Sequence, residues 1–184
     1  MQYTGGKVDI TPTKYIPLAG YSGRSETAGD KSNVLEANII ILKQHDNKLI
    51  FVQFDLLYVG QQLRSLILKS IGALVKGEEL LTFASHTHFA PATSKSLPKL
   101  GTVDDAYLQN IAHKVSLKIK ELRNGTFKSV HLSQSTAKCN HSINRRKKLF
   151  SLSANWPCFR NEIVMQPNKS AMTDANMRII ALHD

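Results

Sequence analysis

The sequence predicts an α/β fold, a mixed β-sheet with flanking helices. Three observations carry this. Apolar runs of strand length, rich in Ile, Val and Phe, recur at residues 35–42, 49–56 and 80–84. Two longer stretches repeat apolar residues at helical spacing. The order is strand, hairpin, helix, strand, helix, strand, strand, which is the alternation of α/β domains.

Residues 6–12 read as a first strand, stopped by Thr-Pro because the residue before proline resists the helical region. Pro17-Leu-Ala-Gly-Tyr-Ser-Gly23 is a loop punctuated by Pro and Gly, and residues 24–33 are polar. Residues 35–42, with Ile39, Ile40 and Ile41, form a buried strand. His45-Asp-Asn-Lys48 turns the chain into a returning strand over 49–56. Asp55 falls inside that apolar run, so it must either tie down a neighbouring loop or serve a site. Leu63, Leu66, Ile67, Ile71 and Leu74 predict a helix of about four turns from near Gln61. Asp104 and Asp105 open the longest helix, whose stripe is Tyr107, Leu108, Ile111, Val115, Ile119 and Leu122. Asn124-Gly125 stops it. Residues 129–134 and 177–182 read as strands. Residues 139–150 read as a polar, basic loop, and 151–171 show no periodicity.

The chain has 184 residues, 42% of them hydrophobic and 21% charged, which predicts one globular domain over 1–184 with a sizeable core. No apolar run is long enough to span a bilayer, so no transmembrane segment is expected. The start, Met-Gln-Tyr-Thr-Gly-Gly-Lys, has no apolar leader, so the cytoplasm is the default location, with secretion the alternative if a leader has been removed. Asp184 follows directly on an apolar strand, and this ending reads as a truncation. Cys139 and Cys158 make no disulfide framework and read as free thiols. The net charge is +10, part of it on helical surface lysines and part in Arg145-Arg146-Lys147-Lys148. A basic surface favours anionic partners such as phospholipid head groups, nucleic acid or anionic substrates; the helix lysines read as a solvated face, whereas the denser four-residue run is open to such a contact. No aromatic interleaving supports nucleic acid as the partner.

The chemistry concentrates in Leu80-Leu-Thr-Phe-Ala-Ser-His-Thr-His-Phe-Ala-Pro91. If the chain stays extended through His86 and His88, both imidazoles fall on one face, roughly 6–7 Å apart at the backbone, and can converge on one metal ion. A strand end is where ligand sites in open α/β sheets lie. The competing reading is two histidines capping a loop through hydrogen bonds to the backbone.

Several pieces, in order, resemble the start of the neutral/alkaline non-lysosomal ceramidases: Gly-Lys-Val-Asp-Ile-Thr-Pro, Pro-Leu-Ala-Gly-Tyr, Leu-Glu-Ala-Asn-Ile-Ile-Ile-Leu, Phe-Val-Gln-Phe-Asp-Leu-Leu and Ala-Ser-His-Thr-His-Phe-Ala-Pro. Asn140-His-Ser-Ile-Asn-Arg-Arg146 looks like that family's Asn-Arg loop. The resemblance implies that the chain is the N-terminal portion of a ceramidase-like catalytic domain, part of a larger layered α/β hydrolase. It implies a Zn2+ site with His86 and His88 as the first two ligands. Arg145 would line the active site, and the substrate would be a lipid-like N-acyl amide such as ceramide. The remaining ligands and the catalytic serine would lie beyond position 184, so the chain alone is expected to bind metal weakly and turn over little substrate. His183 and His141 do not match ligand positions. The chain departs from the family pattern after the histidines, where Phe89-Ala-Pro-Ala-Thr93 replaces Ser-Gly-Pro-Gly-Gly, and at Asn38, where the family has arginine. This points to a divergent bacterial-type relative acting on ceramide or another amide.

In the zinc reading, Asp55, Thr87 or a backbone carbonyl would hold the second imidazole nitrogens. Arg145 would bind a substrate oxygen, or else pair with an acid such as Asp174. The alternatives are a non-catalytic basic domain that binds anionic partners, and a metal-dependent phosphoesterase.

Overall fold

A computed structural model describes residues 1–22, 33–72, 80–152 and 159–183, with side chains described for all of these except 150–152 and 159–161. These residues gather into two compact units, residues 1–130 and residues 131–183. Cys158, Leu74 and Asp184 lie outside the described residues.

The first unit is built on a five-stranded sheet. Its strands are β1 (Gln2–Asp9), β2 (Glu36–Gln44), β3 (Asn47–Phe54), β4 (Leu80–Ala84) and β5 (Lys128–Ser129). Their order is β4-β3-β2-β1-β5. All pairs are antiparallel except β3 with β4, so the sheet is mixed, as the sequence predicts. That one parallel pair is bridged by α1 (Gln61–Ile71), because a parallel return needs a crossover. α2 (Asp105–Asn124) packs against α1 and the sheet.

Alternation along β2 decides which face the helices cover. Ala37, Ile39 and Ile41 are buried, whereas Ile40 points the other way and is exposed. Ile50, Val52 and Phe54 of β3 continue the covered face. Leu63, Ile67 and Ile71 of α1 and Leu108, Ile111, Val115 and Ile119 of α2 complete one core. On the opposite face Phe51 stacks on Phe83, with ring centroids 6.1 Å apart.

Local signals set the ends of α2. The Asp104 carboxylate accepts from the Tyr107 backbone N–H at 2.8 Å and caps the N-terminus, and Gly125 follows the last turn. The Tyr107 hydroxyl donates to the Ile10 carbonyl at 2.9 Å, tying α2 to the end of β1. Burial there, reinforced by the nearby Asp9 charge, pushes the phenol well above its usual range.

The second unit contains two antiparallel ladders. β6 (His131–Lys138) pairs with β9 (Asn176–His183), and β7 (Asn144–Leu152) pairs with β8 (Phe159–Asn168). β7 and β8 correct the expectation of a basic loop followed by an aperiodic stretch. The strand expected at 129–134 is split at Val130, which lies between β5 and β6. Cys139 is a free thiol, half-buried. Among the described residues, no helix is long and apolar enough to cross a membrane.

Candidate metal-binding site

The candidate site lies just past the carboxyl ends of the parallel pair β3 and β4, where open α/β sheets place ligand sites. The sheet pairing continues briefly into both loops. Ser85 N–H donates to the Phe54 carbonyl at 2.9 Å, and His86 N–H donates to Leu56 at 3.0 Å.

At that point the backbone departs from the expected extended path. β4 ends at Ala84, and His86 adopts a left-handed conformation with φ of 62°. Strand alternation therefore does not bring the two histidines together. A left-handed residue turns the chain instead, at a cost of about 1–3 kcal/mol for a side chain with a Cβ. The outcome is nevertheless close approach: the His86 and His88 rings stand 5.3 Å apart, with planes at 85°. His86 is exposed and His88 half-buried.

Each ring is held by a neighbouring loop. His86 Nδ1 lies 3.0 Å from the Leu57 carbonyl. A carbonyl only accepts, so Nδ1 carries the proton in that bond and Nε2 keeps its lone pair. Leu57 belongs to a small buried cluster with Ala19 and Ala92. Tyr58 packs edge-on to His86, with centroids 5.1 Å apart. Tyr21 packs on His88 at 4.7 Å, with planes tilted by 50°. Beside it, Gly20 has φ of 116°, and a Cβ there would overlap His88 Nδ1 and stand 2.7 Å from its Cγ. The Pro-Leu-Ala-Gly-Tyr loop is thus part of the histidine site. Hydrogen bonds from Ala19 N–H to Ala90 and from Gly20 N–H to Leu100, both 2.9 Å, fix it there.

Two imidazoles at this separation can share one ion. For metal–nitrogen bonds of about 2.0–2.1 Å and tetrahedral angles, ring centroids fall about 5 Å apart. Among the described residues, no group of three or more His, Cys, Asp and Glu side chains gathers to hold a metal.

Asp55 takes the structural role left open by the sequence. Its two carboxylate oxygens accept from Glu36 N–H at 3.1 Å and from the Gln53 side chain at 3.2 Å, pinning the start of β2. The acceptor that faces His86 Nδ1 is the Leu57 backbone carbonyl and not Asp55.

Ala92 and Thr93 are only 7% and 3% exposed, and the Thr93 hydroxyl donates to the Tyr58 carbonyl. Their side chains fill interior space.

Arg145 stands in the second unit, on β7. The register runs from Asn144 opposite Asn168 to Arg146 opposite Met165, so Arg145 alone faces Gln166 and Pro167 across a β-bulge. Pro167 cannot donate to the ladder, which suits it to a bulge. The Asn144 side chain accepts from Arg146 N–H at 2.9 Å and shapes this end of the strand. Asp174, the acid considered for Arg145, pairs with Arg178 at 3.1 Å. His183 is engaged with the Ser133 hydroxyl at 2.7 Å.

No protein-family model and no curated protein sequence matches the chain. Solved structures do. Neutral ceramidase from Pseudomonas aeruginosa superposes with a TM-score of 0.71 at 14% identity, over 98% of this chain and 29% of that one. A ceramidase complexed with C2 superposes with a TM-score of 0.64 at 19% identity, over 80% of this chain and 24% of that one. The chain thus spans less than a third of the length of these neighbours. At these identities the likeness is one of fold, and the fold of this chain is that of one part of a neutral ceramidase.

Proposed function

We propose that the chain is part of a zinc-dependent hydrolase that cleaves the amide bond of a lipid-like N-acyl substrate, ceramide or a relative of it. The observation that carries this reading is the pair of imidazoles 5.3 Å apart at the carboxyl ends of β3 and β4, in a fold shared with neutral ceramidases. His86 and His88 would be two of the metal ligands. Zinc, when bound, would polarise the scissile carbonyl and lower the pKa of its water towards neutrality.

The chain's own residues prepare this chemistry. The Leu57 carbonyl fixes the tautomer of His86, so that Nε2 is the donor nitrogen without a prior proton transfer. Gly20 and Tyr21 set the position of His88 from the side. Tyr58 restricts rotation of the His86 ring. Arg145 would bind a substrate oxygen or a developing negative charge, a task suited to a guanidinium.

The test is hydrolysis of a short-acyl N-acylsphingosine by the whole polypeptide that carries this chain. Activity that is lost with a chelator, restored by zinc and abolished in His86→Ala supports the reading. Chelator-resistant hydrolysis, or full activity in His86→Ala together with His88→Ala, overturns it.

A further inference from the structure

The register of the β7–β8 ladder sorts its side chains into two unlike faces. Residues directly opposite in an antiparallel pair project to the same side. Arg146 faces Met165 and Lys148 faces Ile163, so these four share one face. Lys147 faces Val164 and Leu149 faces Glu162 on the other. Leu149 and Val164 are half-buried, and the ladder's one acid in this stretch, Glu162, lies on their side. The first face is turned to solvent. Ile163 is 66% exposed and Met165 77%, and Arg146 and Lys148 are exposed beside them.

Two large apolar side chains thus stand in water beside two cations, each apolar residue directly across the ladder from a basic one. We infer that this face of β7–β8 docks on an anionic lipid surface, with Arg146 and Lys148 at the head groups and Ile163 and Met165 entering the boundary of the acyl region. Charge complementarity selects the partner, because the two cations on this face, Arg146 and Lys148, in a chain of net charge +10, favour a negative surface. The apolar pair selects a bilayer over a polynucleotide. Ile and Met gain from leaving water but offer no ring for a base to stack on. The inference is independent of the histidine site and stands or falls without it.

The test is co-sedimentation of the whole chain with phosphatidylcholine vesicles, with and without phosphatidylserine. Binding is expected only with phosphatidylserine and should weaken as salt rises. Each cation near such a surface contributes about fivefold, so Arg146→Gln with Lys148→Gln should reduce binding by roughly 25-fold. Ile163→Ser with Met165→Ser should reduce it by about tenfold while leaving the salt dependence unchanged. All four positions are exposed, and an unchanged far-UV circular dichroism spectrum verifies folding. Three results would overturn the inference: no binding to phosphatidylserine vesicles, wild-type binding by the Ile163 and Met165 variant, or equally tight binding to a single-stranded oligonucleotide that survives loss of the apolar pair.

Discussion

Gly20→Ala separates a built metal site from a chance meeting of two histidines. Gly20 has φ of 116°, so any Cβ there carries backbone strain of about 1–3 kcal/mol. The larger effect is local. The new methyl would stand 2.7 Å from His88 Cγ, where ordinary contact begins at 3.4 Å. The ring must retreat by at least about 0.7 Å, whereas metal sites keep their ligand distances to within about ±0.2 Å. Zinc affinity should therefore fall by tenfold or more, as it does when the groups that orient a ligand are lost. Gly72→Ala is the matched control. Its φ is 75°, but nothing lies within 4 Å of the added Cβ. It should show similar destabilisation in urea with zinc affinity unchanged. Competition with a chromophoric chelator measures the affinities. Equal affinity in Gly20→Ala and wild type would refute the argument that Gly20 makes room for a ligating His88.

Other expectations follow from the same structure. Asp55→Ala strands the Glu36 N–H and should cost about 1–3 kcal/mol in chemical denaturation, with zinc affinity retained. Tyr107→Phe removes the buried bond to Ile10 and should cost a comparable 1–3 kcal/mol. Because the folded-state pKa of Tyr107 is raised, the wild type should hold its stability below the ordinary tyrosine pKa of about 10 and lose it as pH rises further. A melting series through that range should be flatter in Tyr107→Phe. The backbone N–H of Asn176, aided by Arg178, holds the Asp174 carboxyl below its usual range. Protection of the Asn176 amide from hydrogen exchange should thus be full above a pH of about 4 and decline as pH falls through the lower folded-state value.

The parts of the fold legible in the sequence are those where burial and local chemistry agree. α2 begins and ends where Asp104, the apolar stripe and Gly125 place it. β4 occupies residues 80–84 because five apolar or β-favouring residues precede the histidines. β7 and β8 were illegible for the opposite reason. Exposed on one face and only half-buried on the other, they show no clean alternation, and the run Arg145 to Lys148 resembles a solvated loop. In the site, both histidines were legible from spacing and resemblance, but the route that joins them was not. A left-handed His86 has no composition signal, since its conformation is set by the bonds to Leu56 and Leu57. Gly20 and Tyr21 could be read only as turn residues, because nothing local shows that their loop returns to β4's end. The carbonyl that orients His86 leaves no mark in a sequence at all.

The most direct test of the central claim is zinc K-edge X-ray absorption on the zinc-loaded chain, with the His86→Ala/His88→Ala variant alongside. At least two imidazole nitrogens should scatter at about 2.0–2.1 Å from the zinc, and both should be lost in the variant. A spectrum without imidazole scattering, or one identical in the two proteins, would contradict it.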